Sequence, residues 1–107
     1  MQRIGMVLRL KPGCAEIYKA WHRQVWPEVL EKISECNIRN YSIYLKDDLL
    51  FSHFEYHGTD LATDQARMAS HPKTLEWWAL MEPLLDPMPT RKKGELWAGM
   101  EEVFHLD

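Results

Sequence analysis

The sequence lacks the features that mark several large classes of protein. Its only cysteines, Cys14 and Cys36, lie far apart and form no CxxC pair, which excludes a disulfide framework and a zinc site built from paired cysteines. No run of about 18 apolar residues is present, so we expect no membrane-spanning helix. The N-terminal segment also lacks the apolar stretch of a signal peptide. Two free thiols without a secretion signal indicate a cytoplasmic protein.

Positive charge and nucleotide-binding motifs are also scarce. Lysine and arginine number 13 against 16 acidic residues, a net charge of −3, whereas nucleic-acid partners favour a basic surface. The phosphate-binding patterns GxGxxG and GxxxxGK[ST] are missing. No serine lies in GxSxG, and neither cysteine has an obvious histidine partner. We therefore expect no nucleic-acid or membrane partner, no cofactor and no covalent hydrolase chemistry.

What the sequence does have is a regular series of short elements over one domain, residues 1–107. Alternating apolar residues predict strands, and runs with helical spacing predict helices. Pro27 interrupts the first helix, because a proline ring clashes with the carbonyl four residues earlier. Thr59 is the predicted N-cap of the second helix. The predicted strands are 3–10, 39–46, 49–56 and 100–106, the helices are 14–36, 60–69 and 72–81, and 82–96 is a long loop.

The order of these elements is β-α-β-β-α-β, with the adjacent helices 60–69 and 72–81 counted as one element. This order predicts an α+β fold of ferredoxin-like type, an antiparallel sheet with helices on one face. The other face alternates in apolar residues and needs a cover. We therefore expect a homodimer in which a second copy packs against it, a dimeric α/β barrel.

The stretch from Tyr18 to Glu28 places unusual groups on the inner face of a helix. Tyr18 and His22 are one turn apart and share that face, and Tyr41 on the second strand can meet them. Trp77 and Trp78 lie on the helix that flanks the first one. A flat aromatic wall with a few polar tips suits a sugar ring, so these five residues predict a carbohydrate site.

A second cluster offers a different chemistry. His53, Glu55 and His57 alternate along one strand and so share a face, and two histidines with a carboxylate could bind a divalent metal. A metal-dependent enzyme of the dimeric α/β barrel type is therefore an alternative.

Five short motifs resemble the L-rhamnose mutarotase family, in the same order and with nearly the same spacing over almost the whole chain. These motifs are Y-x-x-x-H at 18–22, W-P-E at 26–28, N-Y-x-I-Y-L at 40–45, W-W-x-x-M at 77–81 and E-V-F-x-L at 102–106. The resemblance implies a dimeric ferredoxin-like fold and an isomerase that interconverts the α and β anomers of a 6-deoxyhexose without a metal.

The resemblance also implies roles for particular residues. His22 matches the family's proton donor, and we expect it to protonate the ring oxygen as the sugar opens. Tyr18, Tyr41, Trp77 and Trp78 match the sugar-binding positions. The sequence departs from the pattern in its short turn at 46–48, in two histidines of the third strand and in the Pro-rich loop. L-rhamnose is the expected substrate, with L-fucose and a non-catalytic sugar-binding module as alternatives.

Overall fold

The computed structural model describes residues 1–107 and contains five strands and four helices. None of its helices combines the length and the apolar character needed to span a membrane. The strands are β1 Gln2–Leu10, β2 Ile38–Lys46, β3 Leu49–Tyr56, β4 Leu85–Asp86 and β5 Ala98–Met100. The helices are α1 Ala15–His22, α2 Pro27–Glu35, α3 Leu61–Ala69 and α4 Pro72–Met81.

The strands form one antiparallel sheet in the order β2-β3-β1-β4, and β5 also pairs with β1. β2 and β3 form a hairpin whose turn, Asp47-Asp48, has φ values of 52° and 60°. Two left-handed residues are typical of a tight type I′ turn. The first three strands and the hairpin confirm the sequence prediction.

The helices cover one face of the sheet, because every second residue of the central strands points that way. Leu8 lies opposite Leu50 in the register of β1 and β3, and both side chains are fully buried. Alternate residues of the same strands, such as Phe51, point to the other face and stay partly exposed. The main core lies between the helices and the covered face of the sheet. Its buried members are Leu8, Leu10, Tyr18, Val29, Leu50, Trp77, Met81 and Leu85.

The helix termini follow from proline and from side-chain caps. α2 begins at Pro27, where a missing N–H costs nothing. Trp26 before it is extended, with φ −60° and ψ 135°. The prediction that Thr59 caps α3 is wrong, since Asp60 accepts the hydrogen bond from the Thr63 N–H. His71 plays the same part for α4.

Two predictions near the C-terminus need correction. The loop predicted at 82–96 contains a 3-10 turn, Glu82–Leu84, and the short strand β4, which pairs with β1. The last strand predicted at 100–106 is wrong: β5 ends at Met100, and residues 101–107 have no regular structure. Their period-two pattern meets no neighbouring strand within the chain. Phe104 and Leu106 are consequently about four-fifths exposed, at 80% and 79%.

A buried polar network joins the end of β3 to α3. The Tyr56 hydroxyl donates to Asp64 Oδ2 at 2.6 Å, and the Asn37 side-chain amide donates to the same oxygen at 3.0 Å. Arg67 donates to Asp64 Oδ1 at 2.6 Å. These donors, Tyr56 first, lower the pKa of Asp64 to about 2. The loop at Gly58 passes so close to this network that only a glycine fits there.

Candidate active site

α1 places Tyr18 and His22 directly above one another, since residues four apart share one helix face. Their rings stack with centroids 4.1 Å apart and an angle of 25° between the planes. Tyr18 is buried in the core, whereas His22, the last residue of α1, is partly exposed. The helix stops here because Pro27 cannot extend it. The predicted pair therefore stands at a helix end with the imidazole open to solvent on one side.

A hydrogen bond to its own helix fixes the form of His22. Nδ1 lies 2.8 Å from the Tyr18 carbonyl oxygen. A carbonyl only accepts hydrogen bonds, so Nδ1 carries the proton and Nε2 is the nitrogen left for a ligand. Burial lowers the pKa of His22, and the bond to the Tyr18 carbonyl partly opposes that effect. Near neutral pH the ring is therefore neutral, with an unprotonated Nε2.

Tyr41 reaches the same side of the sheet from β2. Its ring packs against Phe54 with centroids 5.6 Å apart. Desolvation of its hydroxyl raises the pKa of Tyr41, although 40% of the residue's surface is exposed. Burial also raises the pKa of Tyr18, and the nearby Tyr41 hydroxyl adds to this shift. Both phenols are therefore neutral hydrogen-bonding groups at any physiological pH.

The two adjacent tryptophans of α4 have different surroundings. Trp77 is 5% exposed and contacts three aromatic rings edge to face. The centroid distances are 5.5 Å to His22, 5.9 Å to Trp21 and 5.3 Å to Trp26. Trp78 is 43% exposed and makes no such contact. The structure thus brings Trp77 to the imidazole as a packing partner and leaves Trp78 on the outside of α4.

A cavity of about 310 Å³ opens beside Tyr18 and His22. Its floor is apolar, formed by Ile43, Leu45 and Leu50 from the sheet. Two cations, Lys19 of α1 and Arg23 directly after it, complete the lining. Neither cation is predicted as a site residue from the sequence, although the two repeat the spacing of Tyr18 and His22 one position later in the chain. The cavity combines an apolar wall, the Tyr18 hydroxyl, the His22 imidazole and cationic donors, which suits a small neutral polyol. Tyr41, Trp77 and Trp78 do not line it.

A known protein family matches almost the whole chain. The family described as L-rhamnose mutarotase matches residues 3–106. The chain belongs to the L-rhamnose mutarotase family. All five motifs from which the resemblance was inferred lie within the matched range.

Individual relatives agree with this membership of the L-rhamnose mutarotase family. The chain is 38% identical to an L-rhamnose mutarotase of Sinorhizobium fredii, over 99% of both chains. It is 36% identical to one from Rhizobium meliloti, again over 99% of both.

Solved structures confirm the ferredoxin-like fold. An L-rhamnose mutarotase from Formosa agariphila superimposes with a TM-score of 0.80 at 23% identity, over 100% of both chains. The tetracenomycin F2 cyclase of Streptomyces glaucescens, a polyketide cyclase, gives a TM-score of 0.74 at 21% identity, over 100% of this chain and 98% of that one.

Two other candidate sites lie apart from the mutarotase-family residues. A cavity of about 410 Å³ lies on the other side of α1, lined by Ile17, Ala20, Trp21, Gln24 and Trp26, and contains none of the five predicted residues. Of the predicted metal ligands, His57 Nε2 approaches Glu55 Oε1 at 3.1 Å. No group of three or more His, Cys, Asp or Glu side chains is arranged to hold a metal ion, so the geometry does not favour the metal-dependent alternative.

Proposed function

We propose that this protein is an isomerase that interconverts the α and β anomers of L-rhamnose. Its membership of the family supports the reaction, and one observation in the structure supports the site. The His22 ring is held by its own helix so that a single nitrogen remains free beside a sugar-sized cavity. That nitrogen can exchange a proton with a bound ligand.

The proposed mechanism starts from neutral His22. Nε2 takes the proton of the anomeric hydroxyl, and the bond between C1 and the ring oxygen breaks. The imidazolium then gives a proton to the ring oxygen, which leaves an open-chain aldehyde and restores neutral His22. Both oxygens are bonded to C1, so one nitrogen can serve both. Rotation about the bond from C1 to C2 followed by the reverse steps closes the ring as the other anomer.

We assign the remaining predicted residues to binding. The neutral hydroxyls of Tyr18 and Tyr41 hydrogen-bond the sugar and hold the ring oxygen near the imidazole. Trp77 supports the His22 ring from behind, as its burial and the 5.5 Å contact suggest. Trp78 is 43% exposed on the outside of α4 and does not line the cavity, so its contact with the sugar stays a prediction from the sequence.

The alternatives of the sequence analysis receive less support. The family and the relatives carry the name of L-rhamnose, which favours this sugar over L-fucose. The match to the family described as L-rhamnose mutarotase favours an isomerase over a non-catalytic sugar-binding module. We expect anomer exchange to persist in EDTA, whereas a metal-dependent enzyme would lose it.

Replacement of His22 tests the function directly. We expect His22→Asn to slow anomer exchange of L-rhamnose, followed by NMR saturation transfer, by about 10²–10⁴-fold. The matched control is His71→Asn, which makes the same change at a helix start where asparagine is also a good cap; its exchange rate should equal that of the wild type.

Three outcomes of this experiment are decisive. Wild-type protein that binds L-rhamnose without accelerating exchange would favour the binding module. Faster exchange of L-fucose than of L-rhamnose would overturn the substrate. A His22→Asn variant with wild-type rates would remove His22 from the mechanism.

We further propose that the protein is a homodimer joined through the uncovered face of the sheet. Tyr44 and Phe51 on this face are 67% and 37% exposed. The extended tail, residues 101–107, adds Val103, Phe104 and Leu106, all largely exposed. Monomeric proteins rarely expose large apolar patches. A second copy of the chain could cover this surface in a two-fold symmetric dimer.

We also propose that the enzyme works in the cytoplasm. Cys14 and Cys36 are both free thiols in the structure, and free thiols fit a reducing compartment.

A further inference from the structure

β2 carries one more residue than its partner strand in the middle of the sheet. Ile38 lies opposite Tyr56 and Ile43 lies opposite Ser52, with the register shift between Arg39 and Ser42. The two isoleucines are five residues apart along β2, whereas their partners are four apart along β3. In a regular strand an odd separation places two side chains on opposite faces. The extra residue is a β-bulge that lets both ends of β2 face the helices.

Asn40 is the residue that forms the bulge. Its φ of 50° lies in the left-handed region, which asparagine tolerates better than most residues. Its side-chain amide donates to Glu55 Oε2 at 3.2 Å. Glu55 lies on the uncovered face of the sheet, opposite Arg3, and its other oxygen lies 3.1 Å from His57 Nε2. Of the residues in the metal hypothesis, Glu55 therefore anchors the bulge directly, and His57 contacts only Glu55.

The bulge decides where Tyr41 points. Counted forward from Ile38 without an extra residue, position 41 would face away from the helices. With Asn40 inserted, Tyr41 shares a face with Ile43, packs against Phe54 and stands near the Tyr18 hydroxyl. Bulges beside active sites commonly re-aim a side chain in this way.

We propose that Asn40, anchored by Glu55, is a positioning residue that turns Tyr41 into the sugar site. Asn40 does not touch the sugar; it acts through the direction of its neighbour. This inference rests on the proposed function, because it gives Tyr41 a substrate to hold.

The first test compares two changes at position 40. Valine is branched at Cβ and strongly disfavours a positive φ, so Asn40→Val should lose about tenfold in kcat/KM for anomer exchange. Glycine adopts a positive φ freely, so Asn40→Gly should keep most of the activity despite losing the bond to Glu55. Asp47 in the hairpin turn also has a positive φ, of 52°. Asp47→Val is the matched control, expected to weaken the fold without changing kcat/KM.

A double-mutant cycle separates positioning from general damage. In a Tyr41→Phe background the tyrosine hydroxyl is already gone, so Asn40→Val should then cost little more. The nuclear Overhauser effect between the Tyr41 and Phe54 rings supplies a readout besides activity, and it should vanish in Asn40→Val and return in Asn40→Gly. If Asn40→Val does not fold, Glu55→Ala takes its place in the same cycle, with a smaller loss.

The results distinguish failure of the positioning role from failure of the proposed function. Wild-type kcat/KM in Asn40→Val, or an equal loss with and without the Tyr41 hydroxyl, would overturn the positioning role and leave the proposed function intact. Wild-type protein that fails to accelerate exchange would instead defeat the proposed function. In that case the nuclear Overhauser effect between the Tyr41 and Phe54 rings still shows whether Asn40 sets the direction of the Tyr41 side chain.

Discussion

The behaviour of His22 follows from where its two nitrogens lie. Nδ1 is used up by the carbonyl one helical turn earlier, at 2.8 Å, so only Nε2 is free to exchange a proton. Partial burial favours the uncharged ring and lowers the pKa of His22. A lowered histidine pKa means that the neutral, proton-accepting form dominates at physiological pH.

This form sets the expected pH dependence of the enzyme. Because the proposed reaction starts from neutral His22, kcat/KM should rise with pH through an inflection below about 6.5 and then stay level. The other charged or titratable groups beside the imidazole are the cations Lys19 and Arg23 and the phenols Tyr18 and Tyr41. The raised pKa values of the two phenols keep them neutral in this range. Anomer exchange followed by NMR saturation transfer between pH 5 and 8 provides the measurement. A rate that instead falls as the pH rises past neutrality would show that the reaction begins from protonated His22.

The sequence reveals the polar members of the site better than its walls. Tyr18 and His22 are found from helical spacing alone, because four residues make about one turn. The different environments of Trp77 and Trp78 cannot be found in that way, since adjacent helical residues point about 100° apart and only the packing decides which one is buried. Lys19 and Arg23 look like ordinary surface cations until the cavity beside them is seen.

At the scale of elements, the corner between β3 and α3 depends on close packing around one backbone position. The Tyr56 hydroxyl accepts from the Asp60 N–H at 3.0 Å and donates to Asp64 at 2.6 Å. A Cβ atom at Gly58 would overlap that hydroxyl and lie 2.8 Å from Asp64 Oδ2. The Tyr56 hydroxyl thus ties the start of α3 to the sheet and leaves no room for a side chain at Gly58.

We therefore expect Gly58→Ala to destabilise the protein by about 1–3 kcal/mol, the usual cost of forcing extra atoms into a packed region. The free energy of unfolding in urea gives the comparison. Gly99→Ala is the control, because its Cβ would meet only the flexible end of Glu95 at 3.3 Å. Equal stability of Gly58→Ala and the wild type would mean that this corner does not contribute to the fold.

The elements that the sequence predicts best are those stabilised within the chain. β3 is found with both of its ends, since alternation and the Asp47-Asp48 turn act locally. The sequence carries no comparable signal for the bulge at Asn40. The bulge is needed only because both ends of β2 face the helices, and that is a property of the folded sheet. The predicted strand at 100–106 fails for another reason: its pattern is that of a strand, but no strand of the same chain is available to pair with it.

At the scale of the whole molecule, the open face of the sheet is the proposed dimer interface. The face carries apolar side chains such as Phe51, and the tail extends from the same edge, beyond β5. A stable interface between two proteins buries about 1,200–2,000 Å² in total, and the proposed dimer must reach this range.

If the proposed dimer forms through this face, Phe51→Glu should convert it to a monomer, because a carboxylate would be buried between two apolar surfaces without a partner. The molar mass from light scattering during gel filtration gives the answer. Leu80→Glu is the matched control: Leu80 is exposed on α4, outside the sheet, and its variant should keep the dimer mass. A Phe51→Glu protein that remains dimeric would place the interface elsewhere.

The cluster around Trp77 gives the molecule a built-in optical probe. The indole lies 5.5 Å from the imidazole of His22, and a charged imidazole quenches the fluorescence of a neighbouring indole by taking an electron from its excited state. Protonation of His22 is therefore coupled to light emission from the core of the protein. The ionisation of the proposed catalytic ring can be followed in the free protein, without label or substrate.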